Sequence, residues 1–184
     1  MIETALKRLG YTQDWLDLKI ITEEFLLSQY QQICHSDDNN AEHYRHAAFV
    51  QFIDSQSSLT DNQIEKVLQL IDLGPDKYDL HNNRVIALIY SGLLNDHQFH
   101  QLSQYKQVLE DPIQKIYHRT KLIRNIKKHG LNEYFEQVTA TKDTAVHEHV
   151  LSRNDLKPHQ IQWFIEYGCN KAVRNIALKK SNKF

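Results

Sequence analysis

The chain has 184 residues, of which 41% are hydrophobic and 10% aromatic, and this is enough apolar material to bury a core. Its first ten residues do not resemble a secretion signal, no apolar run approaches the roughly 20 residues that span a bilayer, and its only cysteines are Cys34 and Cys169. This composition predicts a single cytoplasmic domain, residues 1–184, with no membrane segment.

Apolar residues recur at helical spacing along the chain, and no segment alternates in the manner of a strand. All five glycines follow a helix-like run, where a left-handed C-terminal cap is favoured, and Pro112 and Pro158 stand where helices begin. We therefore predict about ten helices, over residues 12–34, 40–54, 60–73, 80–91, 95–109, 111–129, 131–140, 143–152, 157–168 and 170–180.

The sequence pattern of one helical hairpin occurs twice in the last third of the chain. Residues 143–155 and 170–182 share a polar cap, an Ala-Val pair, a second apolar pair and a basic, polar end, and a second type of helix lies between them at 156–168. Repeated helix pairs bury their apolar faces only by stacking. The duplication therefore predicts an all-α protein, specifically a short α-solenoid of antiparallel helix pairs.

A weaker motif recurs upstream of this duplication. It consists of a leucine, a capping-type turn, and then Gln followed by a large apolar residue, and it occurs at 58–64, 93–99 and 155–161. We accordingly predict degenerate repeats over 58–182 and an atypical N-terminal capping unit over 1–57. The predicted core positions are Ile64, Leu68, Ile71, Leu88, Val146, Val150, Ile161, Phe164, Val173, Ile176 and Ala177.

The segment Ala-Val-Arg-Asn-Ile-Ala at 172–177, preceded by Gly-Cys-Asn-Lys, resembles leucine-rich-variant repeats over 143–182, and 58–182 more loosely resembles HEAT repeats. The resemblance implies a right-handed stack of helix pairs that presents an interaction surface, and it implies no reaction. Some leucine-rich-variant proteins carry an iron–sulfur cluster on a separate cysteine-rich segment. With two cysteines in this chain that feature is not carried over, and we expect no cofactor.

The charges are divided between the two ends of the chain. Residues 1–111 hold 8 Lys and Arg against 17 Asp and Glu, a net charge of −9, whereas residues 112–184 hold 14 against 6, a net charge of +8. Three interpretations remain open for the basic part: a solvated surface that pairs with acidic residues of the same or another copy, a site for an acidic protein, or a site for nucleic acid. The candidate binding residues are Lys121, Arg124, Lys127, Lys128, Lys179 and Lys180.

The histidines and hydroxyl residues form no recognisable catalytic or metal-binding motif. The His-Glu pair at 147–148 is one pair, whereas the HEAT-like hydroxylases that hold two irons need four, and we predict that the histidines lie at the surface or at helix ends. Arg174 is predicted to tie one repeat to the next through a carboxylate. Glycines are isolated and no nucleophile motif occurs, so we assign no catalytic residue and no metal ligand.

The sequence therefore predicts a non-catalytic macromolecular interaction module that binds another protein through the second helices of its pairs. The alternative is a nucleic-acid-binding protein, including a HEAT-like DNA glycosylase that uses aromatic residues beside a carboxylate. Trp163, Glu166 and Tyr167 are the candidates for that chemistry, although the apolar register of Trp163 with Ile161 and Phe164 favours a place in the core.

Overall fold

The computed structural model describes residues 1–37, 39–73, 78–104 and 111–182. Over these residues the regular structure is entirely helical, which confirms the all-α prediction. The helices are α1 Ile2–Leu9, α2 Asp14–Asp17, α3 Glu23–His35, α4 Ala41–Ser55, α5 Asp61–Leu73, α6 Tyr78–Tyr90, α7 Asp96–Gln101, a 3-10 turn Leu102–Gln104, α8 Ile113–His129, α9 Leu131–Ala140, α10 Thr144–Ser152, α11 Pro158–Tyr167 and α12 Lys171–Ser181. Within the described ranges, no helix has the length and apolar character needed to cross a bilayer.

The prediction of one continuous helix over 12–34 is wrong. After α2 the chain turns at Lys19, whose φ of 56° is left-handed. A new helix, α3, then begins at Glu23 and is capped by Thr22, whose side chain accepts a hydrogen bond from the Phe25 amide at 3.1 Å. The predicted set also omits α1, and residues 105–109 of the predicted helix 95–109 lie outside the described residues. Every other helix begins and ends within two residues of its prediction.

The glycine caps divide into two kinds. Gly10 ends α1 with a φ of 68°, and Gly92 and Gly130 also have positive φ, as the sequence predicts. Gly168 does not, because its φ is −50°. It is needed for space instead, since a Cβ there would lie 2.5 Å from the carbonyl oxygen of Phe164. Gly74 lies outside the described residues.

The chain divides into two compact units, residues 1–114 and 115–184. The boundary falls three residues after the change in charge, and residues 112–114 carry no charge. We call residues 1–114 the acidic unit and 115–184 the basic unit, because all of the −9 belongs to the first and all of the +8 to the second. The description of the whole chain as one repeat domain stays a prediction.

Each unit has its own helix packing. In the acidic unit α1 packs against α3 and α4, and α6 packs against α4 and α5. In the basic unit α12 packs against α11 and α10, and α10 also contacts α9. The buried cluster of the basic unit comprises Ile126, Leu131, Val138, Val146, Val150, Leu151, Leu156, Ile161, Phe164, Val173 and Ala177.

The predicted core positions are confirmed with one exception among those described. Nine of them are buried, and Trp163 is half-buried against the cluster of the basic unit. Ile176 is wrong, because 40% of it is exposed. The buried edge of α12 is set by Val173 and Ala177, and at about 100° per residue position 176 points well to the side of that edge. The side chain of Ile71 lies outside the described residues.

The Leu–turn–Gln motif folds in the same way at each of its three occurrences. The leucine is buried, and the Gln side-chain oxygen accepts a hydrogen bond from the backbone amide of the residue that caps the helix, at 2.9 Å in every case. This is one half of a capping box, with the apolar pair of a hydrophobic staple beside it. The residues are Leu59, Thr60, Gln63 and Ile64; Leu94, Asn95, Gln98 and Phe99; and Leu156, Lys157, Gln160 and Ile161.

Two of these glutamines also contact the preceding turn. The Gln98 side-chain amide donates to the Leu59 carbonyl at 3.0 Å and to the Asp61 carboxylate at 2.6 Å. The Gln160 amide donates to the Asn132 side chain at 3.2 Å. Neighbouring turns are thus hydrogen-bonded within each unit, while the solenoid and its handedness stay predictions.

Candidate anion-binding groove

A groove in the basic unit encloses about 450 Å³ and is lined by cations, polar side chains and two apolar residues. We call it the basic groove. Six of its lining residues lie on α8, and the others come from the end of α9, the following turn and the start of α10. They are Lys115, His118, Arg119, Lys121, Leu122 and Asn125, then Gln137, Thr141, Asp143 and Val146.

Asp143 fixes the geometry of the groove. One of its carboxylate oxygens accepts a hydrogen bond from the Val146 amide at 3.1 Å and so caps α10, while the other accepts one from the Arg119 Nε at 2.8 Å. Its own amide donates to the Thr141 hydroxyl at 3.2 Å. The helix cap and the ion pair therefore hold α8 against the turn that precedes α10.

The basic groove carries more positive than negative charge. Three lining residues, Lys115, Arg119 and Lys121, are cationic, and Asp143 is the single carboxylate among the ten. The exposed Lys121 and the side-chain amides of Asn125 and Gln137 have no hydrogen-bond partner among the described residues. The groove can therefore supply a positive charge and N–H donors to an anion.

A second group of basic residues lies where α8, α10 and α12 end. It consists of Lys127, His149, Arg153 and Lys180, and we call it the C-terminal basic cluster. The Lys180 ammonium donates to the Arg153 carbonyl at 2.6 Å, and the Arg153 guanidinium binds both oxygens of Asp155 at 2.9 and 2.6 Å. Cations at helix C-termini are stabilised by the helix dipole, so part of this cluster has a structural role.

The titrating groups of this cluster are shifted in defined directions. Burial lowers the pKa of His149, and the positive charges of Lys127 and Arg153 lower it further, so the imidazole is neutral at neutral pH. The hydrogen bond from Arg153 lowers the pKa of Asp155, and the charge of Lys180 acts in the same direction. Asp155 is therefore the ionised counter-charge of the cluster.

The structure places the six candidate binding residues in different surroundings within the basic unit. Lys121 lines the basic groove, and Lys127 and Lys180 belong to the C-terminal basic cluster. Arg124 is half-buried, Lys128 is exposed, and each has an interaction within the protein. The last of the six, Lys179, is exposed in the final turn of α12.

Arg174 is a structural residue, but its partner is not the predicted carboxylate. Its guanidinium donates to the Gly168 carbonyl at 2.8 Å. His147 occupies the equivalent position in the first copy of the hairpin and makes a similar bond, since its Nε2 lies 3.1 Å from the Val138 carbonyl oxygen. The equivalent positions of Arg174 and His147 in the two copies of the hairpin therefore indicate that both side chains have structural roles.

The prediction that His147 lies at the surface or at a helix end is wrong. The residue is 1% exposed and packs edge-on to Trp163 and Phe164, with ring centroids 5.8 and 5.1 Å away. Its Nδ1 accepts a hydrogen bond from the Cys169 amide at 3.3 Å. Both ring nitrogens are thus engaged with backbone groups, which leaves the imidazole no lone pair for a metal ion.

The candidates for glycosylase chemistry do not line the basic groove. Trp163 packs edge-on to Phe135 at 6.0 Å, and Tyr167 is 64% exposed. The Glu166 carboxylate accepts a hydrogen bond from the Gln162 side chain at 2.6 Å. Over the described residues, no group of three or more His, Cys, Asp or Glu side chains is arranged to hold a metal ion.

Comparisons with protein-family models, with curated proteins and with solved structures found no match. The resemblance to leucine-rich-variant and HEAT repeats therefore rests on the sequence motif and on the repeated turns. The functional argument rests on the charges and contacts of the basic unit.

Proposed function

We propose that this chain is a non-catalytic macromolecular interaction module whose basic unit binds an acidic protein partner in the cytoplasm. The observation that carries the proposal is the concentration of the +8 net charge in one compact unit that also contains an open, cation-lined groove. Positive patches attract negatively charged partners, raise the rate of encounter and set the orientation of binding.

The helical scaffold of the basic unit supports this proposal. His147 and Arg174 each bond to a backbone carbonyl, and the Asn170 side chain donates to the Thr144 hydroxyl at 2.9 Å. These side chains hold the duplicated hairpins together, and the exposed Lys121 of α8 is left for other contacts. We propose that the hairpins stack as a right-handed solenoid of the leucine-rich-variant or HEAT type, which is an architecture suited to binding surfaces.

Nucleic acid is the second candidate partner, and the end of α8 favours it. The last turn of this helix contains Lys127, Lys128 and His129 in succession, a local density of positive charge suited to phosphates. Lys127 and Lys128 lie about 100° apart around the helix, however, so their charges spread around it. Phosphate binding usually needs several cations on one face, and we therefore rank this candidate second.

Binding of two labelled polyanions to the full chain distinguishes the candidates. We expect poly-glutamate to bind at low salt and to be released as salt is raised, whereas duplex DNA of random sequence does not bind at low salt. Tight DNA binding that falls steeply with salt would replace the first proposal by the second. Absence of binding to either polymer at low salt would contradict both.

A further inference from the structure

The basic groove has binding groups that its own structure does not use. The Lys121 ammonium and the Asn125 and Gln137 amides have no hydrogen-bond partner among the described residues, and all three side chains line the same groove. Together they offer one full positive charge and several N–H donors. A charged donor with neutral amides beside it is a suitable arrangement for one carboxylate, which accepts hydrogen bonds on both oxygens.

The groove is also apolar in part. Leu122 is half-buried and lines the groove, whereas Val146 beside it is only 1% exposed and belongs to the core. A glutamate side chain has two methylene groups between its backbone and its carboxylate, and these can lie against Leu122. The volume of about 450 Å³ is within the range of ligand sites and admits a few residues of a peptide.

The charge pattern favours a carboxylate over a phosphate group. Asp143 lines the groove and repels a phosphate monoester, with its charge near −2, more strongly than it repels a monoanion. The only arginine of the groove, Arg119, has its Nε bonded to Asp143 at 2.8 Å, so part of the fork that arginine presents to phosphates is occupied. Lysine and amide donors are left for the ligand.

We infer that the basic groove is the recognition site for a glutamate side chain within an acidic segment of the partner protein, an inference that rests on the proposed function. Lys121 supplies the counter-charge, Asn125 and Gln137 donate hydrogen bonds, and Leu122 contacts the methylene groups. Asp143 and Arg119 are positioning residues that hold α8 against the start of α10.

The test uses the full chain and a short, fluorescein-labelled Glu-rich peptide, with two control peptides in which Gln or phosphoserine replaces Glu. Lys121→Ala is compared with Lys171→Ala, which removes the same charge from an exposed position of the basic unit outside the groove. We expect Lys121→Ala to weaken binding of the Glu peptide on the order of tenfold, as for loss of a hydrogen bond to a charged group, and Lys171→Ala to weaken it less than about twofold.

A direct readout accompanies the affinities. The NMR signals of the Asn125 and Gln137 side-chain amides should shift as the Glu peptide is added and should not shift with the Gln peptide. Thermal denaturation controls for folding, since replacement of the exposed Lys121 should leave the melting temperature almost unchanged.

The outcomes distinguish failure of the groove assignment from failure of the proposed function. Equal losses of affinity for Lys121→Ala and Lys171→Ala, or amide signals that do not shift when the peptide binds, would overturn the groove assignment and leave the interaction module standing. Tighter binding of the phosphoserine peptide would overturn the assignment to a carboxylate. If neither the Glu peptide nor poly-glutamate binds at low salt, the inference and the proposed function fail together.

Discussion

Replacing Asp143 separates its structural role from its electrostatic role. The carboxylate caps α10 through the Val146 amide and pairs with Arg119. In the second copy of the hairpin the equivalent residue is Asn170, whose side-chain oxygen accepts the Val173 amide hydrogen bond at 2.9 Å. Asparagine therefore serves as a cap in the same local sequence, and Asp143→Asn should keep the cap while it removes the charge.

The two substitutions at this position should differ in stability. The ion pair is partly solvated, with side-chain exposures of 29% for Arg119 and 19% for Asp143, so its loss in Asp143→Asn should cost no more than about 1 kcal/mol. Asp143→Ala also removes the cap, which adds about 0.5–2 kcal/mol. The alanine variant should then melt lower than the asparagine variant by roughly 1–8 °C, at about 2–4 °C per kcal/mol for a chain of this size.

The affinity for the Glu peptide should change in the opposite direction from stability, since Asp143→Asn should lower stability but raise affinity. Asp143→Asn removes the one carboxylate that lines the basic groove, so the Glu peptide should bind more tightly by about fivefold, the factor for roughly 1 kcal/mol of Coulomb energy between solvated charges about 4 Å apart. Thermal denaturation and fluorescence anisotropy on the same preparations measure both effects. Unchanged or weaker peptide binding by Asp143→Asn would refute the groove as the site, and equal destabilisation by both variants would refute the cap argument.

Four further variants test the packing and the titration described above. Gly168→Ala should cost about 1–3 kcal/mol in the free energy of unfolding, because its Cβ would meet the Phe164 carbonyl oxygen at 2.5 Å; a neutral result by urea denaturation would contradict this close approach. Gln98→Ala should cost about 1–3 kcal/mol in the free energy of unfolding because it leaves buried hydrogen-bonding groups unpaired. The cost should be larger than that of Gln63→Ala, because the Gln63 side chain serves only the local cap. Equal losses would show that the contact between turns contributes nothing to stability. The pKa of His149 is lowered from 6.5 in the folded chain, so the unfolded chain takes up the proton first as the pH falls. Stability should therefore decrease as the pH drops through 6.5 and below. Urea denaturation at a series of pH values should show a smaller decrease for His149→Gln.

Most helix boundaries could be predicted because their causes are local. The turn before α11, with Leu156, Pro158 and Gln160, contains a buried staple residue, a proline in the first turn and a capping glutamine within five residues. The break between α2 and α3 has a local cap at Thr22, but no glycine or proline marks it. Lys19 adopts a left-handed conformation that its residue type disfavours, so the sequence gives no signal for the turn at that position.

The candidate site could be predicted only in part. The run of charges on α8 identified Lys121, but charge counting does not find the neutral donors Asn125 and Gln137, which two different helices bring to the same groove. The role of Asp143 required knowledge of its neighbour Arg119, which is 24 residues away in sequence. The pairwise contacts that build a site depend on how the helices pack, and local sequence patterns do not reveal that packing.

A pull-down with the full chain from the cells that naturally make it tests the central claim most directly. The wild-type chain and the Lys121→Ala variant are used as parallel baits, and both the protein and the nucleic acid retained are quantified. The account predicts that the wild-type chain retains one acidic protein in stoichiometric amount and that Lys121→Ala loses most of it. Retention of DNA or RNA in place of that protein, or equal retention of the acidic protein by both baits, would contradict it.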